Sequence, residues 1–124
     1  MHVKKEDLPV AMEAPGTKVM FKGGFGGNVI AYYEMPAGPE NKALFEGLPE
    51  NACHCPHWGY ILKGEMAVHY SDGSDEVVKE GDLYYFPAGH TAEIKKDIIF
   101  IEISPEKEYM EVMGVVGRNM QAMG

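Results

Sequence analysis

The stretch EGDLYYFPAGH, Glu80 to His90, decides how the rest of the chain is read. Gly81 permits a tight turn into a strand, the Leu83–Phe86 tetrapeptide carries strand-forming aromatic residues, and Pro87 with Gly89 shapes the next turn. A strand held between two glycine or proline turns belongs to a fold of many short strands. Upstream, GYILKGEMAVHYSDGSDEVV (Gly59–Val78) alternates about Asp72-Gly73, which predicts a hairpin with a type I′ turn. Met66, Val68 and Tyr70 share one face of its first strand; Glu65, Ala67 and His69 share the other. Downstream, GDLYYFPAGHTAEI (Gly81–Ile94) and DIIFIEI (Asp97–Ile103) predict two more strands with a Pro-Gly turn between them.

The same rhythm extends toward the N-terminus. NVIAYYEMP (Asn28–Pro36) reads as a strand introduced by GGFGG (Gly23–Gly27), taken as a flexible turn, and closed by PAGP. The glycine cluster lacks the strand–turn–helix context of a phosphate-binding loop. The order is all-β up to Ile103. Beyond it the period changes: Ser104 is a candidate N-cap, Pro105 occupies the first helical position, and Tyr109, Met113, Val116, Met120 and Met123 form one helical stripe. Gly114 and Gly117 weaken this helix, so it needs a surface to pack against, expected to be the outer face of a sheet.

At 124 residues the chain is read as one domain, 1–124, with an N-terminal arm over 1–27, a barrel over 28–103 and a C-terminal helix over 104–124. Its 11 basic against 19 acidic residues give a net charge of −8, which argues against nucleic acid and anionic lipid as partners. The N-terminus has no apolar signal region, and no window approaches the length of a membrane span; a cytoplasmic location is expected. The only two cysteines, Cys53 and Cys55, are one residue apart, too close to staple distant parts of a fold. Free thiols or metal ligands are the remaining roles.

Gly64, the Glu80–Gly89 run and the hairpin between them resemble the cupin superfamily of small β-barrels. Gly81, Pro87 and Gly89 match the three scaffold positions of the second cupin motif. The resemblance implies a cupin-type antiparallel β-barrel, a double-stranded jelly roll, with one C-terminal α-helix. It also implies a pocket at the barrel mouth, where such proteins hold a metal. The ligand positions are atypical. Where the family places the histidine of its second motif stands Ala92, and the nearest histidine is His90. Counted back from Gly64, the family's glutamate falls on His57 and its two histidines on Cys53 and Asn51.

Strand parity puts Cys53, Cys55 and His57 on one face and His54 on the other. The candidate metal ligands are therefore Cys53, Cys55, His57 and His90, a thiolate and imidazole set that suits Zn or Fe. Candidate catalytic residues are His57, His90 and Tyr60, the tyrosine as an acid beside the pocket, a role that Tyr84 or Tyr85 could also fill. Three functions compete: a metal-dependent small-molecule enzyme, a metal-free isomerase or epimerase, and a non-catalytic module that binds a small ligand. Strands that are apolar on both faces, and a helix in need of a partner, lead to the expectation of a homodimer with the helix at its edge.

Overall fold

The computed structural model describes residues 1–123. Seven strands are followed by one α-helix: β1 (Val10–Ala14), β2 (Thr17–Phe25), β3 (Asn28–Met35), β4 (His57–Tyr70), β5 (Asp75–Lys79), β6 (Leu83–Phe86), β7 (His90–Pro105) and α1 (Glu106–Ala122). Short 3₁₀ turns lie at Lys5–Asp7, Asn41–Phe45 and Pro49–Asn51. The antiparallel sheet runs β1-β2-β3-β7-β4-β5, with β6 added to the first half of β4. No ladder joins β5 or β6 back to β1 among the described residues, so the hydrogen bonding stays open where a closed barrel would join.

One residue bends the central strand. Gly64 has φ +96°, and a Cβ there would overlap the Asp97 carbonyl oxygen of β7, so only glycine fits. The β4–β7 register shifts across Ile61 to Met66, and the inward parity changes with it. Before the bulge His57, Gly59 and Ile61 face inward; after it Met66 and Val68 do. The inner face is filled by two adjoining clusters. One is Ile61, Met66, Val68, Val78, Tyr84, Phe86, Ile98 and Phe100. The other gathers Val29, Ala31, Phe45, Leu48, Cys53 and Cys55 under Tyr109 and Val112 of α1.

Several expectations need correction. The stretch 1–27, expected as an arm, supplies two sheet strands, and Gly23 and Gly24 lie inside β2; Leu8 then packs with Met20 and Tyr32 on the outer face. The turn after β4 is not type I′. Tyr70 accepts from Gly73 N–H at 2.9 Å and donates to the Ser74 carbonyl at 2.8 Å, and Gly73 is the one residue of that loop with positive φ. This is a three-residue loop ending in a left-handed glycine. The charged run EIKKD (Glu93–Asp97) lies within β7, where Lys96 and Glu65 are register partners.

The helix also differs from its expected form. Ser104 is the penultimate residue of β7 and its hydroxyl is engaged elsewhere, so α1 has no side-chain N-cap; Glu106 N–H donates to the Gly27 carbonyl instead. The helix lies on the inner face, against the residues that pair with Ser104 and Glu102 across β3. The outer face beside β3 is already covered by Leu8 and its neighbours. Tyr109 and Val112 are buried and Met113 and Val116 pack against the cluster, while Met120 and Met123 are exposed. The expected stripe holds for its first half.

Candidate metal centre

The chain reaches the site by an irregular path. Cys53 precedes β4 and makes an isolated bridge to His90: its N–H donates to the His90 carbonyl, and the Gly89 N–H donates to its own, both at 2.8 Å. This pairing fixes the end of the Pro87–Gly89 turn, where Gly89 adopts φ +90°. His57 opens β4 and His90 opens β7, each pointing inward. Their rings lie 5.0 Å apart, edge to face.

Cys53, His57 and His90 each offer a ligand atom within 4.8 Å of the other two, and all three residues are buried. Cys53 Sγ lies 3.5 Å from His57 Nε2. Cys55, expected in the same group, is not part of it. Its Sγ–H donates to the Pro56 carbonyl at 3.4 Å, and it packs beneath the helix. Strand parity would have aligned Cys53, Cys55 and His57, but residues 54–56 form a bend outside any strand. Tyr60 is also elsewhere: it shares a strand with His57 but has the opposite parity, and it projects from the outer face 39% exposed. His54 turns toward the helix, with Nε2 3.5 Å from the Glu111 carboxylate.

Sequence reasoning missed a second layer. His90 Nδ1 donates to the Pro87 carbonyl at 2.8 Å. His57 Nδ1 lies 2.6 Å from Ser104 Oγ and 3.4 Å from Glu102 Oε2. Glu102 is only 5% exposed, and Tyr84 donates to its Oε1 at 2.7 Å. A Cβ on Gly59 would overlap the Tyr84 ring, so Gly59 makes the room that lets Tyr84 reach across β4 to Glu102. The signal lay in DIIFIEIS: Ile98, Phe100, Glu102 and Ser104 share one parity, so a carboxylate and a hydroxyl continue an apolar inward row.

Burial governs the charges. It lowers His57 to about 3; His90 falls to about 4 through burial and then the neighbouring His57. Both imidazoles are neutral at pH 7, so the His57–Glu102 contact is not an ion pair. Burial raises the Cys53 thiol to about 12, only partly offset by the Cys55 backbone. It also raises Glu102 to about 7, against the lowering by the Tyr84 hydrogen bond and His90. With a backbone carbonyl taking the Nδ1 proton of His90, its Nε2 lone pair is free, as metal-ligating histidines require. Two neutral imidazoles and one thiol in a buried cluster form a donor set suited to Zn or Fe.

A cavity of about 550 Å³ lies beyond the Pro87–Gly89 turn, lined by Tyr70, Ser71, Glu76, Pro87 and Gly89 among others. None of the three donors lines it, but it shares the turn that carries His90.

The cupin-domain family model matches residues 51–94, which span Cys53, His57 and His90. The fold is similar to an RmlC-like cupin from Shewanella frigidimarina, at 21% identity over 83% of this chain and 88% of that one, with TM-score 0.57. It is also similar to KdgF from Halomonas, at 16% identity over 82% and 90% of the two chains, with TM-score 0.54. A third similar structure is oxalate decarboxylase OxdC from Bacillus subtilis, at 16% identity and TM-score 0.55, where the match covers 81% of this chain and 28% of that longer one. No curated protein sequence matches the chain. The match to the cupin-domain model covers the part of the chain that holds the three donors, and the strands follow the cupin fold.

Proposed function

We propose that Cys53, His57 and His90 hold a divalent transition metal, Zn or Fe, and that this centre acts on or binds a small molecule. The observation that carries the reading is the convergence of one thiol and two imidazole nitrogens within 4.8 Å in a buried site. Such an ion, when bound, supplies Lewis acidity or an activated water. The protein's own part is to keep both imidazoles neutral, to exclude bulk water with α1, and to yield one thiol proton on loading. The cavity beyond Pro87–Gly89, on the turn that leads into His90, offers space for a ligand. Similar structures bearing names such as oxalate decarboxylase and polyketide cyclase support a small-molecule role.

Elemental analysis after reducing, chelator-free purification tests the reading. Close to one equivalent of Zn or Fe, or its uptake on titration, is expected. Protein that contains no metal and accepts none would refute it.

The assembly that goes with this reading is a homodimer formed through the outer face of β4, β6 and β7. Trp58, Tyr60, Leu83, Tyr85 and Ile103 form an uncharged surface there, with Trp58 and Tyr85 stacked at 5.1 Å. An apolar surface of this kind is met at low cost by a second copy of itself about a two-fold axis. Since α1 lies on the inner face, the helix takes no part in this contact, contrary to the position expected from its stripe.

A further inference from the structure

Glu102 has no place in a three-ligand centre, yet the fold goes to some length to bury it. Two neighbours across the sheet are small, Gly59 on β4 and Ala31 on β3, so the carboxyl lies at the one level of the inner face where space is left for it. Gly59 is also what admits the Tyr84 ring. A buried carboxyl with no basic partner is costly, so a fold that keeps one uses it. Its Oε1 is occupied by the Tyr84 hydroxyl, and Oε2 faces His57 Nδ1 at 3.4 Å.

That position bears on a question Ser104 cannot settle. The Ser104 hydroxyl, 2.6 Å from His57 Nδ1, can accept a hydrogen bond from Nδ1–H or donate one to a bare Nδ1. In the first case the Nε2 lone pair faces Cys53 Sγ and can bind a metal; in the second Nε2 carries the proton and cannot. A carboxylate only accepts, so its charge beside Nδ1 favours the first state. We propose that Glu102 is the positioning residue of this centre, holding His57 as the Nδ1–H tautomer so that Nε2 faces Cys53 and His90. Its purpose rests on the metal reading above, but its test does not.

The isosteric variant E102Q reverses the field. Tyr84 keeps donating to the amide oxygen, which leaves the amide NH₂ in the place of Oε2, a donor facing Nδ1. The proton on His57 then moves to Nε2. Histidine-labelled metal-free full-length protein, read by two-bond ¹H–¹⁵N correlation at about pH 8.5, reports the tautomer of each ring directly. The wild type is expected to show Nδ1–H at both His57 and His90. E102Q is expected to show Nε2–H at His57 alone, with His90, held by the Pro87 carbonyl, as the internal control. Its Co(II) affinity is expected to fall by about 10- to 100-fold.

An Nε2–H state at His57 in the wild type, or an unchanged tautomer in E102Q, would overturn the proposal. If E102Q fails to fold, S104A decides: Nδ1–H persisting at His57 supports Glu102, and its loss assigns the role to Ser104. Wild-type protein that shows the expected tautomers but takes up no metal would refute the metal centre and leave the positioning role standing.

Discussion

Cys53 and Cys55 are two residues apart in sequence and share the same upward shift from burial, but only Cys53 faces the histidines. The difference gives the centre a measurable proton balance. Near pH 7 His57 and His90 carry no extra proton to lose, because burial holds them at about 3 and about 4. Cys53, at about 12, is a thiol and must release one proton to become a ligand. The bound state therefore holds one proton fewer, and raising the pH favours binding. Affinity for Zn or Co(II) should rise about tenfold per pH unit between about pH 8 and 9, above the titration of Glu102 at about 7. Calorimetry in buffers of different ionisation enthalpy reads the same proton. A release of two would bring Cys55 into the centre, and a release of none would remove Cys53.

At the scale of elements, Gly64 is the hinge on which site and core depend, since it sets the inward parity of both halves of β4. Gly64→Ala must place a side chain at φ +96° and against backbone atoms of Asp97 and Ile98, which no rotamer change relieves. A loss of more than about 2 kcal/mol is expected, from the left-handed backbone and the overlap together. Gly73→Ala, at φ +91° but with open space around the added carbon, should lose about 1–2 kcal/mol from the backbone alone. Urea unfolding of both variants measures the difference, and equal losses would contradict the close approach of β4 and β7. Much of this element structure was legible in the sequence. Alternation announced β3, β4 and the strand at Leu83–Phe86, and the change of period announced the helix. β1 and β2 were not legible, because Gly23 and Gly24 read as a turn when nothing shows the partner strand that holds them extended. The alignment of Cys55 failed for a related reason: alternation governs facing only within a ladder, and residues 54–56 lie outside one. Glu102 was readable by parity, but its meaning depends on Tyr84 and Gly59, which only the pairing of β4 with β6 and β7 brings to it.

For the whole molecule, the two faces of the sheet divide the work. The inner face carries the candidate centre and is closed over by α1; the outer face is covered by the N-terminal segment beside β3 and left apolar over β4 and β6. Leu83 at 82% exposure, with Trp58 at 47% and Tyr85 at 51%, is the part of this surface that a second copy would cover. The paired substitution Trp58→Arg and Tyr85→Arg is expected to give a monomer by light scattering, with stability changed by less than about 1 kcal/mol because both side chains are solvent-facing in one copy. A dimer that survives the pair would place the contact elsewhere. No helix among the described residues is long and apolar enough to cross a membrane.

Whether a thiolate and two imidazoles bind one ion is tested most directly by titrating the reduced, metal-free protein with Co(II) and following its absorption. One equivalent should produce a near-ultraviolet thiolate-to-cobalt charge-transfer band together with visible bands of a low-coordinate ion. Cys53→Ser should abolish the charge-transfer band and Cys55→Ser should leave it intact. A spectrum identical to that of aqueous Co(II), or a band that survives Cys53→Ser and vanishes with Cys55→Ser, would contradict the centre described above.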